Sequence, residues 1–418
     1  MRLCRLLLIS LLVLCALTTK GFCGEGHRAK WTCIIYLAGD NFLDWFTVQN
    51  LEEMRRAGSS YDVRVVVLAD RTDKRGHLFE VRKGYLVGLP LEEIRPDWKD
   101  KEINTGDPRT LSAFASWAVE NLPAENYFIL LGGYGEGWTG LLHDFDDGTG
   151  TVDILSLDEM EVALADIAKS IKKTNGKDSI DILGLDSCYM GMVEVLYQIG
   201  DSARYVIVSE NEEALDGWPY DEVIGAFVRG PDRPAWQLAS SVVDAYVETV
   251  QGERADKINN ILTASLIDMR GFKRLIPLLE ALALELSDLL PLEIKDIFEV
   301  DRLTNTFTVS AHIAGRYVPY SVHYDLGDFL TALMVKFKRY PSIFAKAQDI
   351  RKALAEAVIR ERHQDLVYRK LSLGGLTIYS LGAELEAYSK LPFSRRTHWN
   401  NFVEAKLKPL EKAAGKGG

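Results

Sequence analysis

Ile180-Asp181-Ile182-Leu183-Gly184-Leu185-Asp186-Ser187-Cys188-Tyr189-Met190-Gly191-Met192-Val193-Glu194 runs from a short apolar stretch through a turn into a new apolar pattern. The near-continuous apolarity of residues 180–185 predicts a strand buried on both faces. Cys188 falls where strand gives way to helix, so its sulfur is expected near a helix N-terminus, whose dipole favours thiolate over thiol. The same residue also suits a small buried hydrophobe, the usual role of a free cysteine. Position alone leaves both readings open.

Similar runs lie on either side. Residues 31–38, 63–69, 127–131 and 205–208 also predict strands, the first closed by the turn signal Gly39-Asp40-Asn41. Residues 42–56 have helical spacing, and residues 156–172 open with Ser156-Leu157-Asp158-Glu159, a capping-box start. Apolar strands alternating with helices indicate an α/β fold with a mainly parallel central sheet. Ligands of such sheets sit beyond the carboxyl ends of the strands. Two loops occupy that position: the one holding Cys188, and Gly132-Gly133-Tyr134-Gly135-Glu136-Gly137-Trp138 after the strand at 127–131. Glycines at this density let a backbone approach a ligand closely, but the spacing matches no nucleotide-binding fingerprint.

From about residue 231 long amphipathic patterns take over, at 235–249, 272–289 and 326–337. Strand candidates at 264–267 and 376–380 are expected to extend the sheet. The organisation expected is a signal peptide at 1–24, an α/β core at 28–230, a mainly helical region at 231–408 packed on it, and a flexible tail at 409–418.

The presequence reading rests on Arg2 and Arg5 followed by apolar residues 6–17 and then small and polar residues. Twelve residues are too few to span a bilayer, which takes about 20. The richest later stretch, 275–290, is interrupted by Glu280, Glu285 and Asp288. Export to the periplasm or the extracellular space is therefore expected, with no membrane span after processing. The chain of 418 residues carries a formal charge of −11, and losing Arg2, Arg5 and Lys20 lowers it by three, to −14. Such a surface repels nucleic acid and attracts cationic peptides. At most Cys23, Cys33 and Cys188 can remain after processing, too few for a disulfide framework.

The blocks at 31–41, 132–138, 184–195, 209–220 and 376–379 together resemble the clostripain family of caspase-like cysteine peptidases, in order and spacing. The sharpest are Asp186-Ser187-Cys188-Tyr189-Met190-Gly191-Met192 and Asp216-Gly217-Trp218-Pro219-Tyr220. The resemblance covers roughly residues 30–408. It implies a caspase-like three-layer sandwich and a Cys–His dyad cutting peptides after Arg or Lys. Cys188 matches the family nucleophile. Gly135 matches the glycine whose N–H, with that of Cys188, would form the oxyanion hole. Asp186 matches the acidic residue that would meet a basic substrate side chain, although a structural cap is its plainer role.

One position departs. Aligning Gly135, Gly137 and Trp138 with the family loop "His-Gly-x-Gly-Trp" puts Tyr134 at the histidine. A phenol of pKa about 10 stays protonated at neutral pH and scarcely accepts the thiol proton. His143 is the nearest substitute in sequence; His77, His312, His323, His363 and His398 have no motif around them. Relatives are self-cleaved after a basic residue between the two loops, yet residues 111–168 contain no Lys or Arg, so the mature chain is expected to stay intact. That segment holds instead His143-Asp144-Phe145-Asp146-Asp147-Gly148-Thr149-Gly150. Asp144, Asp146 and Asp147 make a candidate calcium loop, as some relatives use calcium, though the spacing is not that of an EF-hand and a solvated acidic loop explains it as well. No cofactor is otherwise required. The expectation is a clostripain-like homologue with an Arg/Lys-directed cleft and impaired catalysis. The alternative is an active endopeptidase using Cys188 and a substitute base.

Overall fold

The computed structural model describes residues 27–414 except 100, 147, 250–260, 314–315, 365–370 and 383, so the expected presequence, Cys23 and Asp147 lie outside it. The apolar runs do become strands: β1 (Ala29–Gly39), β2 (Val63–Arg71), then β3 (Arg75–Arg82) and β4 (Tyr85–Leu89). Next come β5 (Ala124–Gly132), the short pair β6 (Leu141–Asp144) and β7 (Asp153–Leu155), β8 (Ile180–Asp186) and β9 (Ala203–Val208). The later strands are β10 (Thr263–Asp268), β11 (Thr306–Ile313), β12 (Arg316–Asp325), β13 (Val358–His363) and β14 (Thr377–Gly382).

Nine of these form one sheet in the order β13-β10-β9-β8-β5-β1-β2-β3-β4. The run from β9 to β2 is parallel, and the strands added at both margins are antiparallel. Alternate residues of β1 divide between the two faces. Ile34, Tyr36 and Ala38 enter one core, while Trp31, Cys33, Ile35 and Leu37 enter the other. This two-sided burial follows from the period of two along a strand, and it makes three layers. Cys33 is a buried hydrophobe in the second core, its thiol pushed up by desolvation.

One expectation about the sheet needs correcting. Residues 376–380 do not join it; β14 pairs with β12 in a separate three-stranded sheet with β11. An apolar run states that a strand is buried but not which sheet buries it. Residues 264–267 do join the main sheet, against β9. β14 nonetheless props up the cysteine loop. Thr377 donates its N–H to the Gly191 carbonyl at 2.8 Å, and the buried Glu194 carboxylate accepts from the Tyr379 N–H and the Tyr388 hydroxyl.

Helices Asp44–Ala57, Pro108–Asn121, Leu157–Asn175, Tyr220–Arg229 and Ala235–Thr249 cover the sheet. Ser156 caps the third of these in a complete capping box with Glu159, as its sequence predicts. Helices Leu275–Leu303, Leu326–Lys336, Pro341–Ala357 and Trp399–Ala414 pack together behind β12 and β14. Among the described residues no helix is long and apolar enough to cross a membrane.

The strand order locates the crevice. The chain leaves β1 for β2 on one side and later adds β5 on the other, so the loops after β1 and β5 diverge. Such a switch point opens a cleft at the carboxyl ends of the strands.

Candidate active site

The cleft forms a cavity of about 930 Å³. The loop after β1 (Phe42), the loop after β5 (Tyr134 and Gly135), the end of β8 (Asp186 and Cys188) and the segment 212–217 line it. The two loops singled out by sequence thus meet. A side chain on Gly135 would fall 2.7 Å from the Cys188 carbonyl oxygen and 3.1 Å from the Cys188 nitrogen, so glycine is what lets the two backbones touch.

Cys188 is held by a strained turn. Tyr189 has φ of 61°, in the left-handed region that disfavours a bulky residue and costs on the order of 1–3 kcal/mol. Two anchors hold it there: its N–H donates to the Asn211 carbonyl, and its hydroxyl lies 2.9 Å from Glu212 Oε1 and 3.0 Å from the Thr308 carbonyl oxygen. Because the turn takes up these residues, the next helix starts only at Val193. The helix-dipole expectation for Cys188 therefore fails, since that field fades within the first turn.

The thiol meets a different environment. Its sulfur accepts the Glu213 N–H at 3.3 Å. Burial, and then the nearby carboxylates led by Glu213, push it up to about 12. Tyr134 is likewise pushed up to about 12, by burial first and then by Glu136, Cys188 and Glu212. Its ring stands edge-on to Phe42 at 5.4 Å and to His143 at 4.7 Å between centroids. A phenol and a thiol that both hold their protons this tightly exchange none at neutral pH.

Among the described residues no histidine lines the cavity. His143 is buried on β6 behind the Tyr134 ring plane contact, with Nε2 lacking a hydrogen-bond partner and desolvation lowering its pKa. His323 is fully buried, pushed down to about 3, and its Nε2 lies 2.8 Å from Ser321 Oγ. His77 and His363 pair with Asp73 and Glu361. His398 follows a short helix as its left-handed cap, and the side chain of His312 lies outside the described residues.

Asp186 forms the floor of the cavity. Its Oδ2 accepts the Tyr220 hydroxyl at 2.7 Å and the Trp218 N–H at 3.2 Å. Glu213 faces it, with Oε1 accepting the Trp218 indole N–H at 3.1 Å. Burial raises both carboxyls, and the Asp186 charge beside it holds Glu213 well above its usual range, so the pair favours keeping a proton between them. Gly217, with φ of 68°, passes so close that any Cβ would sit 2.8 Å from Asp186 Oδ2.

The environment of Cys188 sets a pH signature. Its alkylation by iodoacetamide, followed by peptide mapping, is expected to climb about tenfold per pH unit from neutrality without levelling below about pH 10, because only the thiolate reacts. A plateau near neutrality would reveal a cationic partner that this geometry lacks.

The sequence model described as the Clostripain family matches residues 35–405. The chain belongs to the clostripain family. Clostripain of Hathewaya histolytica is 25% identical over 239 residues, covering 49% of this chain and 44% of that protein, so the match spans less than half of the relative's length. A crystal structure of an inactive zymogen C11 protease from Parabacteroides distasonis superposes with a TM-score of 0.63 at 18% identity, over 89% of this chain and 99% of that one. A secreted C11 cysteine protease from Bacteroides thetaiotaomicron, solved with an irreversible peptide inhibitor, gives 0.64 at 19% identity, over 89% and 100%. These likenesses carry the caspase-like sandwich fold.

Within this clostripain-family frame, sequence reasoning placed Cys188, Gly135, Tyr134 and Asp186 around one cavity. It missed Glu213, although the block holding it had been singled out. A glutamate 27 positions from Asp186 carries no local mark of a carboxyl pair. Of the candidate calcium loop, Asp147 lies outside the described residues. Asp146 pairs with Lys74 and accepts the N–H groups of Gly148 and Gly150, whereas Asp144 turns inward to Thr105.

Proposed function

We propose that this chain is an exported clostripain homologue that binds peptides bearing Arg or Lys and is impaired in cutting them. The observation carrying the reading is that Tyr134, and among the described residues no histidine, lines the cavity with Cys188, above the buried carboxyls of Asp186 and Glu213. In the family pattern Tyr134 takes the place of the dyad histidine, so the thiol lacks its base and the leaving amine lacks its acid. The floor keeps its charge chemistry. An entering guanidinium or ammonium would replace the proton shared by Asp186 and Glu213, with Tyr220 and Trp218 fixing the carboxylates.

Export is supported by the presequence pattern and by a structural relative described as secreted. Processing after a basic residue has no target in residues 111–168, so the mature protein should be one chain. The rival reading, an active endopeptidase, has His143 as its base, because its Nε2 is unpartnered beside Tyr134.

The test compares the purified chain with its Cys188→Ala variant on fluorogenic peptides ending in Arg, Lys and norleucine. No hydrolysis above the variant and a single intact mass are expected. Turnover that needs Cys188, lost again in His143→Ala, would establish the rival instead.

A further inference from the structure

The mouth of the cleft carries apolar surface that neither the core nor the chemistry above uses. Helix Asp44–Ala57 packs inward through Thr47, Asn50, Leu51 and Met54, and Trp45 lies off that face. Its side chain is 61% exposed, and Leu215, two positions before Gly217, is 63% exposed. Single exposed apolar residues are ordinary on a protein surface, whereas a contiguous group of them marks a contact. These two line one cavity together with the half-buried Phe46.

The fold gathers them over Asp186. Asn50 bridges the two segments, its amide nitrogen donating to the carbonyls of Asp216 at 3.0 Å and Phe46 at 3.2 Å. Further along the helix, Glu53 accepts the Tyr220 N–H at 3.1 Å and Arg56 pairs with Asp221. Gly217 lies against both Asp186 and Asn50, since a Cβ on it would fall 2.8 Å from the Asp186 Oδ2 and 3.5 Å from the Asn50 amide. Trp45 meets Phe46 edge to face, with 5.1 Å between centroids. Asp44, the charge beside Trp45, is already paired with Arg71 at 2.8 Å. Among the described residues no Lys or Arg lines the cavity. The cavity thus joins apolar surface to carboxyls, which suits a ligand carrying a cation and a bulky apolar group close together.

We propose that Trp45, Phe46 and Leu215 form an apolar subsite for a large aliphatic or aromatic side chain, one or two positions from a bound peptide's basic anchor. The assignment rests on the reading of the cleft as a site for Arg- or Lys-bearing peptides, and it narrows that reading from a single charge to a two-part motif. The spacing follows from chain geometry. An extended peptide advances about 3.3 Å per residue, so the near neighbours of an anchor that reaches down to Asp186 lie over the mouth. A tryptophan with one face free is well suited to cover such a side chain, because it buries a large rigid area at little cost in side-chain freedom.

Calorimetric titration of the full chain tests this with Arg peptides that are otherwise glycine-rich and carry one phenylalanine, moved through the two positions on either side of the anchor. At one or more positions phenylalanine should tighten binding about tenfold over the all-glycine flank. Trp45→Ser and Leu215→Ser should each bring that peptide down to the affinity of the glycine peptide in the same variant. Trp236→Ser, which removes an exposed tryptophan from another helix, should keep the gain. Acrylamide quenching gives a second readout should a serine variant fold poorly: the phenylalanine peptide should shield part of the tryptophan emission in the parent but not in Trp45→Phe. Arg peptides that bind with no gain from phenylalanine at any of the four positions would overturn the subsite and leave the basic-peptide reading standing. Peptides that fail to bind at all would end both. A gain that survives in both serine variants would place the side chain elsewhere and overturn the assignment. So would a parent that sediments as a dimer and becomes a monomer in Trp45→Ser, since a second copy would then own this surface.

Discussion

Tyr134→His is expected to raise labelling of Cys188 by an arginyl chloromethylketone about 10²–10⁴-fold, the usual worth of a positioned general base. The frame for an imidazole is intact. Gly135 still touches the Cys188 backbone, Phe42 and His143 still brace the ring position, and the loop geometry is set by glycines that remain. The local field would help. Glu136 and Glu212, which push the Tyr134 phenol upward, would favour an imidazolium at the same place. An imidazolium would in turn stabilise the thiolate, against the carboxylates that now oppose it. Labelling should then level off near neutrality, unlike the steady climb expected of the parent. A variant labelled no faster than the parent would mean that position 134 does not face the sulfur as a base must.

The second large effect belongs to the cavity floor. Asp186→Asn is expected to remove a tenfold to hundredfold preference for Arg peptides over norleucine peptides, since a charged hydrogen bond contributes about 1.5–3 kcal/mol. The amide keeps the shape of the carboxylate and can still accept from Tyr220. Glu213→Gln should weaken the preference as well, and the two changes should not be additive, because the carboxyls share one proton. That proton also sets the pH dependence. Both carboxyls titrate above their ordinary values in the free protein, so a cation that displaces the proton binds more tightly as pH rises from the ordinary carboxylate range towards the raised one. Peptide binding that weakens over that range would argue against the carboxyl pair as the contact.

Much of this was legible before any coordinates. The five parallel strands announce themselves as apolar runs because each is buried on both faces, and the two catalytic-type loops follow from where those strands end. Of the marginal strands β10 was read at 264–267, while others escaped for the opposite reason. β3 and β13, with sequences Arg-Gly-His-Leu-Phe-Glu-Val-Arg and Val-Ile-Arg-Glu-Arg-His, have mostly half-buried or exposed residues and so lack a core-strand pattern. Helix Pro108–Asn121 was missed although Asp107 and Pro108 form a readable start, with Asp107 accepting the Arg109 N–H. The carboxyl pair was only half legible. Asp186 stood out through its match to the family's acidic residue, whereas Glu213, brought beside it by the fold from 27 positions away, carries no local mark.

The central claim is that the cleft keeps its grip on a basic side chain after losing its base. Calorimetric titration of the parent chain with matched peptides, differing only in Arg or norleucine at the anchoring position, tests it most directly. The account predicts that the Arg peptide binds about tenfold to a hundredfold more tightly and is recovered uncut. Equal affinities for the two peptides would contradict it, because Asp186 and Glu213 would then not be meeting the ligand's cation.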